Sequence, residues 1–292
     1  LADMIVRECN QGAHHLTTVR SGLPSATWRE LYKAVQPSKA TNKQVTDATG
    51  MLEAWSEIDA KLVDLAGSGA GQFRLNEAQA FLQAMSNEMS ETIFYGSAAN
   101  EFQGFAPRFN DLAAENGSQI IDAGGTGPNL TSIWFVVWGE NTCHGLYPQG
   151  TSAGLTRMDK GLQTKEADDG VYDVYREKFT WDMGLSVRDL RYVVRITNVD
   201  VDALQAGSLD LYALMRKAYY KLYQRRVAGG RAAIYCNTDV IEALDGLATN
   251  NGTTDNFVRL SPMELEGEQV MGYRGMPLRE VDALINTESQ VV

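Results

Sequence analysis

Two motifs in this chain contain the residue types that nucleophilic catalysis needs. The segment 150–154, Gly-Thr-Ser-Ala-Gly, matches the Gly-x-Ser-x-Gly pattern in which a strained strand-to-helix turn exposes a serine oxygen. That turn requires a helix after the serine and a histidine later in the chain. Residues 155–165 lack helical apolar spacing, and the last of the three histidines is His144. We therefore expect a simple turn between strands at Ser152 and no acyl transfer.

The second motif is Cys143 followed by His144, which places a thiol next to a base. Neighbouring residues on a strand point to opposite faces, so the imidazole would not reach the thiol, and we interpret both as packing residues. His14 and His15 form the other imidazole pair, with no Cys, Asp or Glu at metal-ligand spacing. We interpret this pair as part of an N-terminal arm and expect no metal.

The remaining candidate motifs are incomplete in other ways. The three cysteines Cys9, Cys143 and Cys236 are separated by 134 and 93 residues, which matches neither a disulfide scaffold nor a Cys-x-x-Cys metal site. The glycines at 124–127 lack the Lys-Ser/Thr of a phosphate-cradling loop and precede a predicted strand. The acidic residues at 168–169, 200 and 202 lack the further oxygen ligands of a calcium loop. We expect buried thiols and solvated loop ends.

Five cations lie toward the end of one predicted helix: Arg216, Lys217, Lys221, Arg225 and Arg226. Cations at a helix C-terminus complement its macrodipole, and we favour that role over a phosphate-binding face, which stays the alternative. No combination of residues assembles a nucleophile, a base and an oxyanion site. The sequence therefore predicts a protein that is not an enzyme and binds no cofactor.

The composition is that of a globular chain of 292 residues, with 44 % hydrophobic and 22 % charged residues. The 26 basic and 37 acidic residues give a net charge of -11. This net charge argues against non-specific binding of nucleic acid phosphates by the whole chain. It is still compatible with a local basic surface. The longest apolar run, residues 133–138, is far shorter than the ~20 residues of a membrane-spanning helix, so we expect no membrane partner.

The first predicted elements are an arm and a long hairpin. Residues 1–24 lack sustained periodicity and predict an N-terminal arm that must dock on something to be ordered. Two β-rich segments, residues 27–35 and 44–58, flank a polar tip at 37–43 and predict the hairpin. Two strands alone are marginal in water. A hairpin carrying Trp28, Tyr32 and Trp55 therefore needs a partner surface, either on another molecule or on its own domain.

A Gly-rich joint at residues 67–71 precedes a long predicted helix that is capped at Asn76 and stops at Gly96. About twenty residues at 1.5 Å each predict a rod of roughly 30 Å. We interpret its apolar stripe as core packing rather than as a cofactor site. The stripe consists of Ala78, Phe81, Leu82, Met85, Met89 and Ile93.

Strands and then helices are predicted in the second half of the chain. The β-rich segments at 133–138, 143–147, 171–181 and 190–197 favour an antiparallel, meandering sheet. A helix capped by Ser208 and ending near residue 229, a short strand at 232–236 and a helix capped by Asn237 or Thr238 come next. The last forty residues are predicted to be loop-rich. The inner stripe of the first helix is Leu211, Leu214, Met215, Ala218 and Leu222.

The order of these elements and several short stretches resemble the major capsid proteins of tailed bacteriophages with the Hong Kong 97-like fold. The stretches are residues 102–110, 132–139, 144–148 and 192–196, and they look most like those of short-tailed phages such as the Bordetella phages. The resemblance covers essentially the whole chain. It is carried mainly by element order: an arm, a long hairpin, a glycine joint, a long helix, a sheet and a compact lobe.

The resemblance implies an α+β fold with five parts. These are an N-terminal arm (1–24), an extended hairpin loop (25–66), the spine helix and following loop (67–130), the long strands of the peripheral domain (131–200) and the axial domain (201–292). In the family, a Gly-x-Pro tract ends an axial lobe that precedes the long strands. Here the similar tract, residues 275–278, comes after them. We therefore hypothesise a permuted connection between the axial and peripheral domains.

The resemblance also implies a function and partners. Copies of the chain would form hexamers and pentamers of an icosahedral shell, of T=7 type, around the double-stranded DNA genome, with assembly in the cytoplasm of the bacterial host. Portal and scaffolding proteins and a cement or decoration protein would be partners, and the DNA would be held without sequence-specific binding. The expected contacts between subunits are Trp28, Tyr32 and Trp55, with Lys39 and Lys43 at the hairpin tip. Lys–Asn cross-linking, known in one branch of the family, is not carried over because no matching Asn and acid can be identified.

Three alternatives remain open, the first within the resembled fold and the other two from the residues. An encapsulin-like compartment protein would share the fold and enclose protein cargo. A hydrolase would use Ser152 or Cys143 as its nucleophile. A glycan-binding β module would expose Trp134 or Trp138 to solvent.

Overall fold

The computed structural model describes residues 2–22, 24–39, 41–97, 99–114, 116–168, 170–249, 260–265 and 268–292. Within these ranges the strands belong to one mixed sheet. The strands are β1 (Val6–Glu8), β2 (His14–Gly22), β3 (Thr41–Asp59), β4 (Ile120–Asp122), β5 (Leu130–Trp138), β6 (Cys143–Tyr147), β7 (Thr156–Ala167), β8 (Gly170–Val187), β9 (Val193–Asp200), β10 (Arg231–Cys236), β11 (Ser261–Leu265), β12 (Glu268–Tyr273) and β13 (Met276–Glu280). The helices are α1 (Ala60–Leu65), α2 (Ala70–Tyr95), α3 (Val201–Gln205), α4 (Leu211–Lys221) and α5 (Thr238–Thr249).

The extended hairpin is built from β2 and β3, which pair antiparallel from His14 opposite Ala48 to Gly22 opposite Thr41. The prediction of a strand at residues 27–35 is wrong. The described residues 24–39 form an irregular segment that connects the two strands, and we call it the tip segment. Prolines at positions 24 and 37 bracket this segment, and proline cannot donate a hydrogen bond to a strand ladder. The first strand instead lies within the region predicted to be an irregular arm.

The N-terminal residues dock on the chain itself. Strand β1 pairs parallel with β6, with Val6 opposite Gly145. The carboxylate of Asp3 is buried and accepts two hydrogen bonds from Arg279, at 2.8 Å each. The predicted need for a docking surface is therefore met, for the described part of residues 1–24, within the same subunit.

Helix α2 is the longest helix of the described residues, with 26 residues and a length of about 39 Å. It begins at Ala70 rather than at Asn76, because the Gly-rich residues 67–71 form a 3-10 turn and the first helical turn instead of a loose joint. It ends at Gly96 as predicted. A Cβ at Gly96 would lie 2.5 Å from the carbonyl oxygens of Thr92 and Phe102, so only glycine fits there. The predicted stripe is buried at Ala78, Met85, Met89 and Ile93, half-buried at Phe81 and exposed at Leu82.

Strand β5 lies at the centre of the molecule, and its alternating side chains enter two separate cores. Ile133, Phe135 and Val137 pack with the apolar stripe of α4 and with α5. Trp134 and Trp138 face the other way and pack with the C-terminal half of α2. Both tryptophans are buried, which contradicts the glycan-binding alternative.

The sheet is mixed rather than the predicted antiparallel meander. Parallel pairs join β1 to β6, β4 to β9, β5 to β6 and β10 to β13. Strand β5 pairs antiparallel with both β9 and β10. The expected boundary between a peripheral part (131–200) and an axial part (201–292) therefore crosses a continuous sheet. Strand β7 has no counterpart in the prediction because most of its residues are polar and exposed.

The C-terminal helices carry the predicted apolar stripes, with three local differences. Asp210, not Ser208, caps α4 by accepting a hydrogen bond from the Ala213 amide at 3.0 Å. Helix α4 ends at Lys221 rather than near residue 229, because the backbone turns away at the buried Leu222. Asn237 caps α5 as predicted. The last forty residues are not only loop, since they contain β11, β12 and β13.

Candidate assembly surfaces

The tip segment is the most exposed apolar part of the described chain. Its conformation is fixed locally, with the Ser38 hydroxyl donating to the Ser25 carbonyl at 2.7 Å. Trp28 and Tyr32 are fully exposed, at 102 % and 100 %, and Leu31 is exposed at 85 %. Tyr32 has a positive φ of 64°, a backbone conformation that L residues rarely adopt. Apolar side chains presented in this way find no burial within the subunit.

The residues predicted as contacts fall into two places rather than one. Trp28, Tyr32 and Lys39 share the tip segment, and Lys43 is exposed nearby on β3, opposite Val19. Trp55 lies twelve residues beyond Lys43 on the same strand. At about 3.3 Å per residue this is roughly 40 Å away. The structure therefore separates the tip from a second candidate surface around Trp55.

The second candidate surface is the face of β3, β8 and β7 that points away from α2. The strand register places Trp55, Lys178 and Met158 in one row across the three strands. The next residue along β8, Phe179, points to the opposite face and stacks on Phe81 of α2 with ring centres 5.8 Å apart. Met51 lies on the same face of β3 as Trp55 and is 77 % exposed. We call this row and Met51 the outer face.

Trp55 is held in place by cations while remaining half-exposed. The Lys178 ammonium lies 5.4 Å and the Arg176 guanidinium 6.0 Å from the centre of the Trp55 indole. Lys178 also pairs with Glu53 at 2.6 Å. These contacts fix the ring position and leave 45 % of the side chain open to solvent. The sequence identified Trp55 but not its neighbours on β7 and β8, because β7 was not recognised as a strand.

A buried ion network attaches the β7–β8 hairpin to the start of α2. Glu177 is 1 % exposed and accepts hydrogen bonds from Arg157 at 2.7 and 2.8 Å and from Arg74 at 2.5 Å. The hydrogen bond from Arg157, followed by that from Arg74, lowers the pKa of Glu177 despite its burial. Arg74 also pairs with Asp159 at 2.7 Å. The network keeps the outer face aligned with the rest of the subunit.

The base of the extended hairpin is a second polar junction. Arg108 donates to the buried Asp47 of β3 at 2.9 Å and to the Leu185 carbonyl of β8 at 3.1 Å. His15 of β2 and His144 of β6 pack edge to face with ring centres 5.8 Å apart. Burial is the main cause that lowers the pKa of His144 to about 4, and it also lowers that of His15. Both rings are therefore neutral at pH 7.

The candidate nucleophiles have no catalytic surroundings. Burial raises the pKa of the Cys143 thiol, which lies in the core between α2 and the sheet. Ser152 lies in an exposed turn after Gly150. Over the described residues, no group of three or more His, Cys, Asp or Glu side chains is placed to hold a metal ion. In the same part of the chain, no helix combines the length and the apolar character needed to cross a membrane.

A projecting hairpin, a long helix on a large mixed sheet and exposed aromatic side chains agree with the expected phage shell subunit. The whole chain, residues 1–292, matches the family model of the major capsid protein GP7, and it belongs to that family. It is a structural component of the virion and not an enzyme. Proteins of this class assemble into multimeric shells.

Solved structures agree with this assignment. The chain is similar to a bacteriophage Epsilon15 structure derived from cryo-EM, with 34 % identity and a TM-score of 0.76 over 100 % of this chain and 88 % of that one. It also shares its fold with the capsid of bacteriophage JBD30, at 9 % identity and a TM-score of 0.52 over 97 % and 89 % of the two chains. These neighbours establish the α+β, Hong Kong 97-like fold. A search of curated proteins finds no match.

Proposed function

We propose that copies of this chain form hexamers and pentamers of a closed icosahedral shell around double-stranded phage DNA. The tip segment and the outer face are the contacts between copies. The observation that supports this most directly is the full exposure of Trp28 and Tyr32 at the end of a long hairpin. A surface like this is costly on an isolated protein and useful on a subunit that meets a neighbour.

The energetic argument rests on apolar area. Burying a large apolar side chain contributes about 2–3 kcal/mol, and the tip segment offers three such side chains, Trp28, Leu31 and Tyr32. Each copy would place its tip segment on one neighbour and receive the tip segment of another. The free energy of burying these side chains is therefore gained once per subunit in every hexamer and pentamer. Aromatic anchors of this kind usually dominate the binding energy of an interface.

The arrangement of parts in the shell is also a proposal. The described residues before β2 would act as an arm, and the hairpin of β2, the tip segment and β3 as the extended loop, which therefore starts within residues 1–24 rather than at 25. Residues 67–130 with 131–200 would form the peripheral part and 201–292 the axial lobe, with a permuted connection between these two. A T=7 lattice, a portal, scaffolding and cement proteins and assembly in the host cytoplasm complete the proposal. The net charge of -11 supports loose packing of DNA, because the chain as a whole does not attract phosphates.

Substitution of Trp28 by aspartate tests the tip contact. We expect the Trp28→Asp subunit to fold with unchanged circular dichroism and melting temperature, because Trp28 contacts nothing within the subunit, and to form no particles in negative-stain microscopy. The matched control is Gln36→Asp, which adds the same charge at an exposed polar position of the same segment and should assemble. Normal yields of Trp28→Asp particles would refute the proposed contact.

A further inference from the structure

A basic cavity lies between the end of α4 and the turn that joins β12 to β13. It has a volume of about 200 Å³, and Arg225, Arg226 and Arg274 line it together with Tyr219. None of these arginines forms an ion pair with an Asp or Glu of the described residues. This is unusual in a chain with 37 acidic and 26 basic residues.

Two of the three guanidinium groups are held in position by tyrosines. Arg225 donates through Nε to the Tyr219 carbonyl at 2.7 Å and lies 4.8 Å from the centre of the Tyr219 ring. Arg274 donates through Nη1 to the Tyr220 hydroxyl at 3.0 Å and lies 5.4 Å from the ring centres of Tyr219 and Tyr220. Each of these two hydrogen bonds uses one of the five N–H groups of an arginine. The other N–H groups remain available to a ligand.

The arrangement brings like charges together without neutralising them. Arg274 also has a left-handed backbone, with a φ of 52°, which costs of order 1 kcal/mol in a non-glycine residue. The aromatic rings orient the cations and supply no negative charge. An anion in the cavity would remove the repulsion between the guanidinium groups.

We propose that this cavity binds a phosphate group. A guanidinium group can donate two parallel hydrogen bonds to two oxygens of one phosphate. A phosphate group has enough oxygens and negative charge to bind three guanidinium groups. A volume of about 200 Å³ admits one phosphate group with a few waters. The phosphate comes either from a free ion or from the backbone of packaged DNA. Only the DNA source rests on the proposed shell function.

Calorimetric titration of the purified chain with inorganic phosphate, at constant ionic strength against chloride, tests the cavity directly. We expect binding to the parent chain and at least tenfold weaker binding to Arg226→Gln and to Arg274→Gln. The Arg226 side chain is exposed and forms no hydrogen bond or ion pair with the described residues, so we expect Arg226→Gln to fold. The matched control is Arg216→Gln, an exposed cation of α4 outside the cavity, which should bind as the parent does. Equal binding by all four proteins would overturn the proposal.

Two further measurements identify the source of the phosphate. If a DNA duplex of about 20 base pairs displaces phosphate from the parent and binds Arg226→Gln more weakly than Arg216→Gln, the source is DNA. If it does not displace phosphate, the source is the free ion. Electron microscopy of the same variants measures shell formation independently of phosphate binding. Phosphate binding by the free chain but not by assembled shells would rule out packaged DNA as the source and leave the free ion.

Discussion

Trp55 combines an internal and an external role in one side chain. Its indole is fixed by Lys178 and Arg176 of the neighbouring strand, yet almost half of it faces solvent. A side chain with a fixed position loses little conformational entropy when a partner covers it. The sequence singles out Trp55 as an aromatic residue of a predicted hairpin. It does not identify the cations that hold the ring, because the register between β3 and β8 is set by residues far apart in the chain.

For Trp55, substitution by aspartate should separate folding from assembly. We expect Trp55→Asp to remain folded, since the site is half-exposed and the new carboxylate can pair with Lys178, and to give no shells because a charge replaces an apolar anchor. The readout is sedimentation velocity combined with negative-stain images. Trp55→Phe is the control and should assemble. Abundant Trp55→Asp shells would count against the outer face as an interface.

His144 should make the stability of the subunit depend on pH. Its pKa is near 6.5 in the unfolded chain and about 4 in the folded one, so the unfolded chain binds more protons between these values. The stability is complete above pH 6.5 and is lost as the pH falls toward 4. At 1.36 kcal/mol per pKa unit, the loss by pH 4.5 is roughly 2–3 kcal/mol.

Urea unfolding of the subunit at pH 7.5 and 4.5 measures this loss. In His144→Gln the difference in unfolding free energy between the two pH values should shrink by that amount, while other titrating groups contribute equally to both proteins. The same pH difference in parent and variant would show that His144 is not the responsible group.

At the scale of elements, helices and strands are predicted best from the sequence where at least one of their faces is buried. The strands β5 and β9 and the stripes of α2 and α4 carry strong apolar or β-branched signals, and all were predicted. Strand β7 and the tip segment were not, because β7 is mostly polar and exposed with no alternating apolar face, and the tip aromatics resemble a strand. Aromatic residues that a partner would cover have the same composition as residues that the fold covers, so their place depends on the assembly.

Glycine has opposite roles at the two ends of α2, and alanine substitutions should show this. Gly96→Ala is expected to destabilise the subunit by 2 kcal/mol or more in urea unfolding, about the cost of the clash that a Cβ makes with the Thr92 and Phe102 carbonyls. Gly71→Ala, in the first turn of α2 with no atom within 4 Å of its Cβ, should instead stabilise it by about 0.5–1 kcal/mol. Similar effects at both positions would contradict this account.

At the scale of the whole molecule, the C-terminal residues join the two cores. The buried carboxylate of Glu288 accepts hydrogen bonds from Arg195 of β9 and Tyr95 of α2. The amide and carbonyl of Val291 pair with the side chain of Asn198 at 2.9 Å each. No local pattern in the sequence indicates these contacts, because the partners are between 93 and 193 positions apart. They follow from the fold rather than from any single element.

Removal of the Glu288 charge should therefore weaken the whole subunit. Glu288→Gln leaves the buried Arg195 without its counter-ion, and we expect a loss of about 3–5 kcal/mol in unfolding free energy. Glu91→Gln, an exposed position on α2, serves as the control and should change stability by less than about 0.5 kcal/mol. A loss in Glu288→Gln no larger than in the control would mean that the pair is solvated in solution.

The exposed turn at residues 150–154 offers a practical use. The turn contains two glycines with positive φ, Gly150 and Gly154, and a Cβ at either would meet no atom within 4 Å. An epitope or enzyme-ligation tag inserted there would be displayed without disturbing either core.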